Sequence, residues 1–214
     1  MAVQDAIREN ETGKRRENAM ADYTALTEAG TALVELLREN LTPEPLGNRE
    51  LISLCSPHES ENNQLTLFLY HIEEEAQSLT SGYYSVDSET ERIRPAQYIL
   101  HFLMTPHSKV PTQMKEADCY RIMGAALQTI RDNPVIPQRF LSGSIAAENA
   151  RLHIMVDRTS MEQLLKIWNN TSKDYKLSAV VTVTGVTIDS GVMRHVTRVK
   201  EVVIDTKEKK EEIQ

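Results

Sequence analysis

The stretch Gln64 to Glu73 sets Leu65, Leu67 and Leu69 against Phe68, Tyr70 and Ile72. Side chains alternate between the two faces of an extended chain, so a strand here is apolar on both. Such a strand belongs inside a sheet covered on two sides rather than at a wet edge. Gln97 to Thr105 repeats the pattern, with Tyr98, Leu100, Phe102 and Met104 opposite Ile99, His101 and Leu103. Thr105-Pro106-His107 ends that second strand.

Helical periodicity supplies the covering layer. Leu26, Ala29, Leu33, Leu36, Leu37 and Leu41, behind a cap at Asp22, predict a helix that stops before Thr42-Pro43-Glu44-Pro45. Lys115 to Asp132 predicts another, with Cys119, Ile122, Ala126, Leu127 and Ile130 inward and Asn133-Pro134 as its terminator. A third begins at Thr159 or Ser160, either of which finds a capping-box partner in Glu162 or Gln163, and it turns Leu164, Leu165 and Trp168 to the core. Further strands are expected at Leu51 to Cys55, Arg151 to Asp157, Lys176 to Asp189 and Val196 to Ile204. Strands in both adjacent and helix-separated order predict an α/β (α+β) fold, a mixed, largely antiparallel sheet flanked by two or three helices. Residues 22–205 read as a single domain, with 1–21 and 206–214 as polar extensions. Between Glu74 and Pro95 the chain is rich in Ser, Glu and Gly around Tyr83-Tyr84, which predicts a long loop or protruding hairpin. Segments of that length tend to be functional or held by a partner.

Composition narrows the function classes. With 214 residues, 40% hydrophobic and 26% charged, the chain can bury a core without disulfides or metal. Its longest apolar runs are a few residues, against about 20 for a membrane span, so no membrane contact is expected. The polar N-terminus lacks the apolar core of a secretion signal, which predicts a cytoplasmic protein. Cys55, read as a strand residue, and Cys119, near a helix start, are far apart in sequence and read as two separate buried thiols. A net charge of −7 disfavours nucleic acid, whose binding needs clustered Lys and Arg. That charge is unevenly spread. Asp22 to Glu91 carries 14 acids against Arg38 and Arg49, whereas 92–214 carries 18 bases against 13 acids. The acidic surface of one copy can then meet the basic surface of the next.

Signatures of chemistry are missing from the sequence. Neither Gly-x-Gly-x-x-Gly nor Gly-x4-Gly-Lys-Ser/Thr occurs, so no nucleotide cofactor is expected. His101 and His107 are the nearest histidine pair, but six positions across a strand end is not a ligand spacing, and no metal site is expected. Glu73-Glu74-Glu75 reads as a solvated strand terminus, because neighbouring strand residues point to opposite faces. There is no Gly-x-Ser-x-Gly elbow. No catalytic residue is assigned.

Three stretches carry a resemblance. They are Tyr98-Ile99-Leu100-His101-Phe102-Leu103-Met104-Thr105-Pro106-His107, then Leu127-Gln128-Thr129-Ile130-Arg131-Asp132-Asn133-Pro134-Val135-Ile136, then Leu165-Lys166-Ile167-Trp168-Asn169-Asn170 with Tyr175-Lys176-Leu177-Ser178-Ala179 and Ile188-Asp189-Ser190 behind it. In order and spacing the chain resembles the cap, or tail-terminator, proteins of phage-tail-like contractile injection systems, over most of Asp22 to Asp205. The resemblance implies a structural role without an active site. Six copies would form a ring on the baseplate-distal end, binding the inner tube protein and the sheath protein and ending their growth. Assembly would be cytoplasmic, with release of the particle by lysis. Tyr83 and Tyr84, with Arg92 and Arg94 on the far side of the same segment, are the candidate partner contacts. The alternatives are another tail-completion or baseplate adaptor protein, or a small hydrolase with an unrecognised site.

Overall fold

The computed structural model describes residues 22–58, 62–76, 82–169 and 174–196. The expected terminal extensions lie outside these residues, as does all but the first residue of the strand expected at Val196 to Ile204. In chain order the elements are α1 (Ala25–Leu41), β1 (Ile52–Leu54), β2 (Leu65–Glu74), β3 (Tyr83–Ser85), β4 (Thr90–Ile93), β5 (Ala96–Pro106), α2 (Lys115–Asp132), α3 (Gly143–Ala147), β6 (His153–Val156), α4 (Met161–Asn169), β7 (Ala179–Ile188) and β8 (Met193–His195). A five-stranded sheet runs β1-β2-β5-β7-β6, and a three-stranded one runs β3-β4-β8. Among the described residues only the β1–β2 pair is parallel. The fold is therefore α+β, with a mixed, largely antiparallel sheet and flanking helices.

Both faces of the main sheet are covered, as the doubly apolar strands require. On one face Leu33, Leu36 and Leu37 of α1 and Ile122, Ala126 and Ile130 of α2 pack on Leu65, Leu67, Leu100, Phe102, Val181 and Val183. On the other, Leu164 and Trp168 of α4 close over Leu103 and Val180, with Phe68 and Tyr70 alongside. Trp168 is 1% exposed and meets the rings of His58 and Tyr175 edge-on at 5.8 and 6.2 Å. Each such fully buried side chain contributes roughly 1.5–3 kcal/mol. Helix α4 starts with the expected capping box at Ser160, whose Oγ accepts from the Gln163 N–H at 3.3 Å while Gln163 Oε1 accepts from the Ser160 N–H at 2.9 Å.

Several expectations need correction. Asp22 does not cap α1. Its carboxylate accepts from the adjacent Tyr23 N–H, and the helix starts three residues later, behind Thr24. Thr24 instead donates to Glu28, whose carboxylate also accepts from Ser144 Oγ and the Ile145 N–H and so ties α1 to the unanticipated α3. Burial works to raise the Glu28 pKa, but these hydrogen bonds outweigh it and hold the carboxyl below its ordinary range. Cys55 lies just past β1, although its N–H still bonds Leu67 at 3.2 Å.

The largest correction comes from two bulges. Between Leu69 and His71 the β2–β5 register slips, so Tyr70 is the extra residue and His71 lies opposite His101. Ile72 is thereby opposite Leu100, on the α1 side rather than on the side of Phe68 and Tyr70. The second slip sets Tyr98 opposite Val186 and Leu100 opposite Val183, leaving the extra residue in β7 beside Gly185. Gly185 has φ 84, and a Cβ there would lie 2.5 Å from the Arg151 carbonyl oxygen. Position 185 thus requires glycine for both conformation and space.

At the Pro106 end the sheet closes around a buried polar network. His107 is 7% exposed, with Nε2 3.0 Å from Thr66 Oγ1 and Nδ1 3.4 Å from Lys176 Nζ. Lysine has only protons to offer, so the imidazole takes the tautomer that accepts at Nδ1 and donates from Nε2. Thr105 and Ser178 hydroxyls pair at 3.0 Å beside it. Burial first, then the charges of Lys176 and Lys115, push the His107 pKa down to about 4.

Two outcomes follow from this architecture. Gly185→Ala loses about 2–3 kcal/mol in urea unfolding through positive-φ strain and the carbonyl clash, and an unchanged midpoint contradicts that account. His107 is neutral in the folded protein, whereas the unfolded chain takes up its proton near pH 6.5, so stability falls as pH drops from there toward 4. Unfolding measured at about pH 7 and about pH 5 should differ by roughly 2 kcal/mol from this group, and His107→Gln should flatten that dependence.

Candidate functional site

The segment expected as a long loop or protruding hairpin is the hairpin, β3 and β4, completed by β8. Its strands leave from one end of the main ladder, where β5 begins at Ala96 opposite Ile188 and β2 ends at Glu74 opposite Tyr98. The small sheet is thus an arm that continues β2, β5 and β7 beyond their covered region. Arg194 of β8 holds it together. Its guanidinium lies 3.7 Å over the Tyr83 ring and donates through Nε and Nη2 to Glu91 Oε2 at 3.0 and 2.7 Å. An exposed cation–π contact is worth roughly 0.5–1 kcal/mol and an exposed ion pair roughly 0.2–1. One side chain therefore links all three strands.

The four candidate contact residues separate in this frame. Tyr83, 39% exposed, stands opposite Ile93 with Arg194 on its ring. Tyr84 is half-buried and stands opposite Arg92. Arg92 is buried, 7% exposed, between Tyr84 and Met193 in the register, so it belongs to the framework of the arm. Arg94 is exposed at the hairpin base, its N–H bonded to the Gly82 carbonyl at 3.0 Å. Val86, Val192 and Met193 add exposed apolar surface to the same arm. Sequence reading missed Arg194, whose short strand has no apolar period to reveal it.

At the opposite end of β5 an open cleft of about 710 Å³ lies between Pro106, His107, Ser108 and Lys109, the first turn of α2, and Tyr175 to Leu177. Lys109, Lys115 and Lys176 line it, against the single acid Glu116. Cys119 and His107 both reach this cleft. Burial, with the nearby Glu116 and Asp118, pushes the Cys119 thiol up, while the imidazole is pushed down. A thiolate–imidazolium nucleophile needs both shifts in the reverse sense. The pair is held neutral, and the charge of the cleft comes from its lysines.

On the α4 face, beyond Tyr70, His71, Glu73 and His101 come together with ligand-type atoms within 4.8 Å of one another. Sequence reading compared His101 with His107, which lies in the polar network instead, and passed over His71 because cross-strand pairing has no signature in spacing.

Comparison with known proteins bears on the fold. A cryo-EM structure of an extracellular contractile injection system, the PVC sheath/tube terminator in its extended state, superposes with a TM-score of 0.56 at 17% identity, covering 86% of this chain and 63% of that one. The tube-terminating cap of the anti-feeding prophage superposes at 0.52 with 20% identity, covering 82% and 59%. The chain thus spans about three fifths of the length of each. No curated protein matches it significantly in sequence. At these identities the likeness is one of fold, and it is joined by a sequence match over residues 28–201, from α1 through the arm, to the family described as the Pvc16 N-terminal domain, to which the chain belongs.

Proposed function

We propose that this chain is a terminator of a contractile injection particle. Six copies form a ring on the baseplate-distal end and stop growth of the inner tube and sheath. The observation that carries this reading is membership of the Pvc16 N-terminal domain family, with a fold like those of two terminators over more than four fifths of the chain. Residues 22–205 act as one domain in this proposal. Particles assemble in the cytoplasm and leave by lysis.

A terminator works by occupying a growing end, so its function resides in surface and stoichiometry rather than turnover. Two surfaces at opposite ends of β5 suit that task. The arm offers Tyr83, Arg94 and exposed apolar side chains, the residue types of an interface core. The cleft offers Lys109, Lys115 and Lys176 to an acidic neighbour, and the acid-rich Asp22 to Glu91 portion of a second copy supplies one. Head-to-tail contact of unlike surfaces closes into a ring.

Deleting the chain should give tubes and sheaths of irregular length in electron micrographs, and particles of normal length and stability without it overturn the proposal. Replacing 83–93 by an Asn-Gly turn should leave the five-stranded sheet folded, by circular dichroism, while incorporation into particles falls. Normal incorporation removes the arm from the contact surface. Ring formation should weaken between about 0.1 and 1 M salt, where the screening length drops from about 10 to 3 Å. A salt-independent ring eliminates the lysine–acid contact.

A further inference from the structure

We infer that His71, Glu73 and His101 form a binding site for a divalent transition-metal ion of the zinc type. The site is built by the β2 bulge. Regular pairing from Leu69 opposite Phe102 would set Tyr70 against His101, but the slip sets His71 there. Directly opposed residues of an antiparallel pair share a face, and Glu73 follows His71 by two positions on that face. Two imidazoles and one carboxylate therefore converge from neighbouring strands, with the histidine ring centroids 5.3 Å apart and interplanar 31°.

The first independent observation is His101 Nε2. It is buried and has no hydrogen-bond partner among the described residues. Glu73 Oε2 lies 3.7 Å from it, too long for a hydrogen bond. In the tautomer with its proton on Nδ1, Nε2 presents a lone pair to a carboxylate oxygen, and a cation between them turns that repulsion into two attractions. The second observation is on the other ring nitrogen. His101 Nδ1 is 3.4 Å from Thr182 Oγ1 and 4.0 Å from Asp157 Oδ2. A hydroxyl that accepts the Nδ1 proton leaves Nε2 as the acceptor nitrogen toward Glu73, the tautomer that a metal-bound histidine has.

Metal–ligand distances of about 2.0–2.2 Å require the three donor atoms to draw together slightly. His71 and Glu73 are exposed and have the rotamer freedom to do so, while the less exposed His101 is the fixed member. Imidazole with one carboxylate suits zinc and its first-row neighbours and discriminates against magnesium and calcium, which favour oxygen-only sites. Three protein ligands leave a fourth position for water or for a donor from another molecule. The ion would clamp β2 to β5 at the base of the arm. This inference is independent of the terminator role.

The full chain, stripped with a chelator and dialysed, is titrated with zinc chloride by calorimetry and with cobalt chloride by visible absorption. One equivalent should bind, with cobalt giving the intense bands of a low-coordinate nitrogen–oxygen site. Equal concentrations of magnesium chloride should not compete. His71→Ala, Glu73→Gln and His101→Ala should each weaken binding by about tenfold or more, whereas His153→Ala and Glu74→Gln should not. Zinc should also slow hydrogen exchange of the β2 and β5 amides near the bulge. His71→Ala and Glu73→Gln alter exposed positions and leave the fold intact, so wild-type affinity in both overturns the site. Absence of binding by the wild-type chain overturns it equally and assigns the gap beside Nε2 to a proton.

Discussion

Strand β5 is the member on which the other elements depend. It is paired along nearly its whole length with β2 on one side and β7 on the other. Its side chains reach both cores, Leu100, Phe102 and Met104 under α1 and α2, and Leu103 under α4. From Phe102 to Pro106 every residue is buried, so that stretch of the strand offers no surface to a protein partner. Only its ends are open. The cleft forms where β5 leaves the sheet at Pro106, and the arm forms where β5 enters it at Ala96. Burial of the middle thus places both candidate surfaces at opposite poles of one rigid ladder.

Periodic features were legible in the sequence to the extent that they stayed periodic. Lys115–Asp132 is a helix at its expected bounds, and β5 exceeds its expected span by one residue at each end. Ile72 was misread because a bulge changes the face without changing the alternation of residue types. Gly185 is a visible trace of the other bulge, although a lone glycine in a strand does not by itself give the direction of the slip. Asp22 is a good cap type, but the helix start is set by Glu28 reaching α3, a contact 116 positions away through Ser144. His71 and His101 are 30 positions apart in sequence and adjacent in space. Composition and local pattern do not carry such a pairing until register is known.

The arm and the ladder differ in how they are held. Among the described residues, the arm is held by short-strand hydrogen bonds, by Asp87 at its turn and by the Arg194 contacts, each worth about 1 kcal/mol or less, with Arg92 and part of Tyr84 buried. The three described strands bury little area, which sets the arm nearer the low end of local stability than the ladder. Binding through it therefore costs part of the contact energy in ordering, and a single arm would hold a partner weakly. A ring changes that outcome. In the proposed ring, once one copy has docked, the arms of its neighbours would face the same end at high effective concentration, and each further contact would be made without the translational loss of the first. Weak arms on a rigid frame would then give the proposed assembly a way to release misplaced single copies and retain complete rings. This is the selectivity a terminator needs, because a lone copy bound to an unfinished tube would block growth as surely as a finished cap.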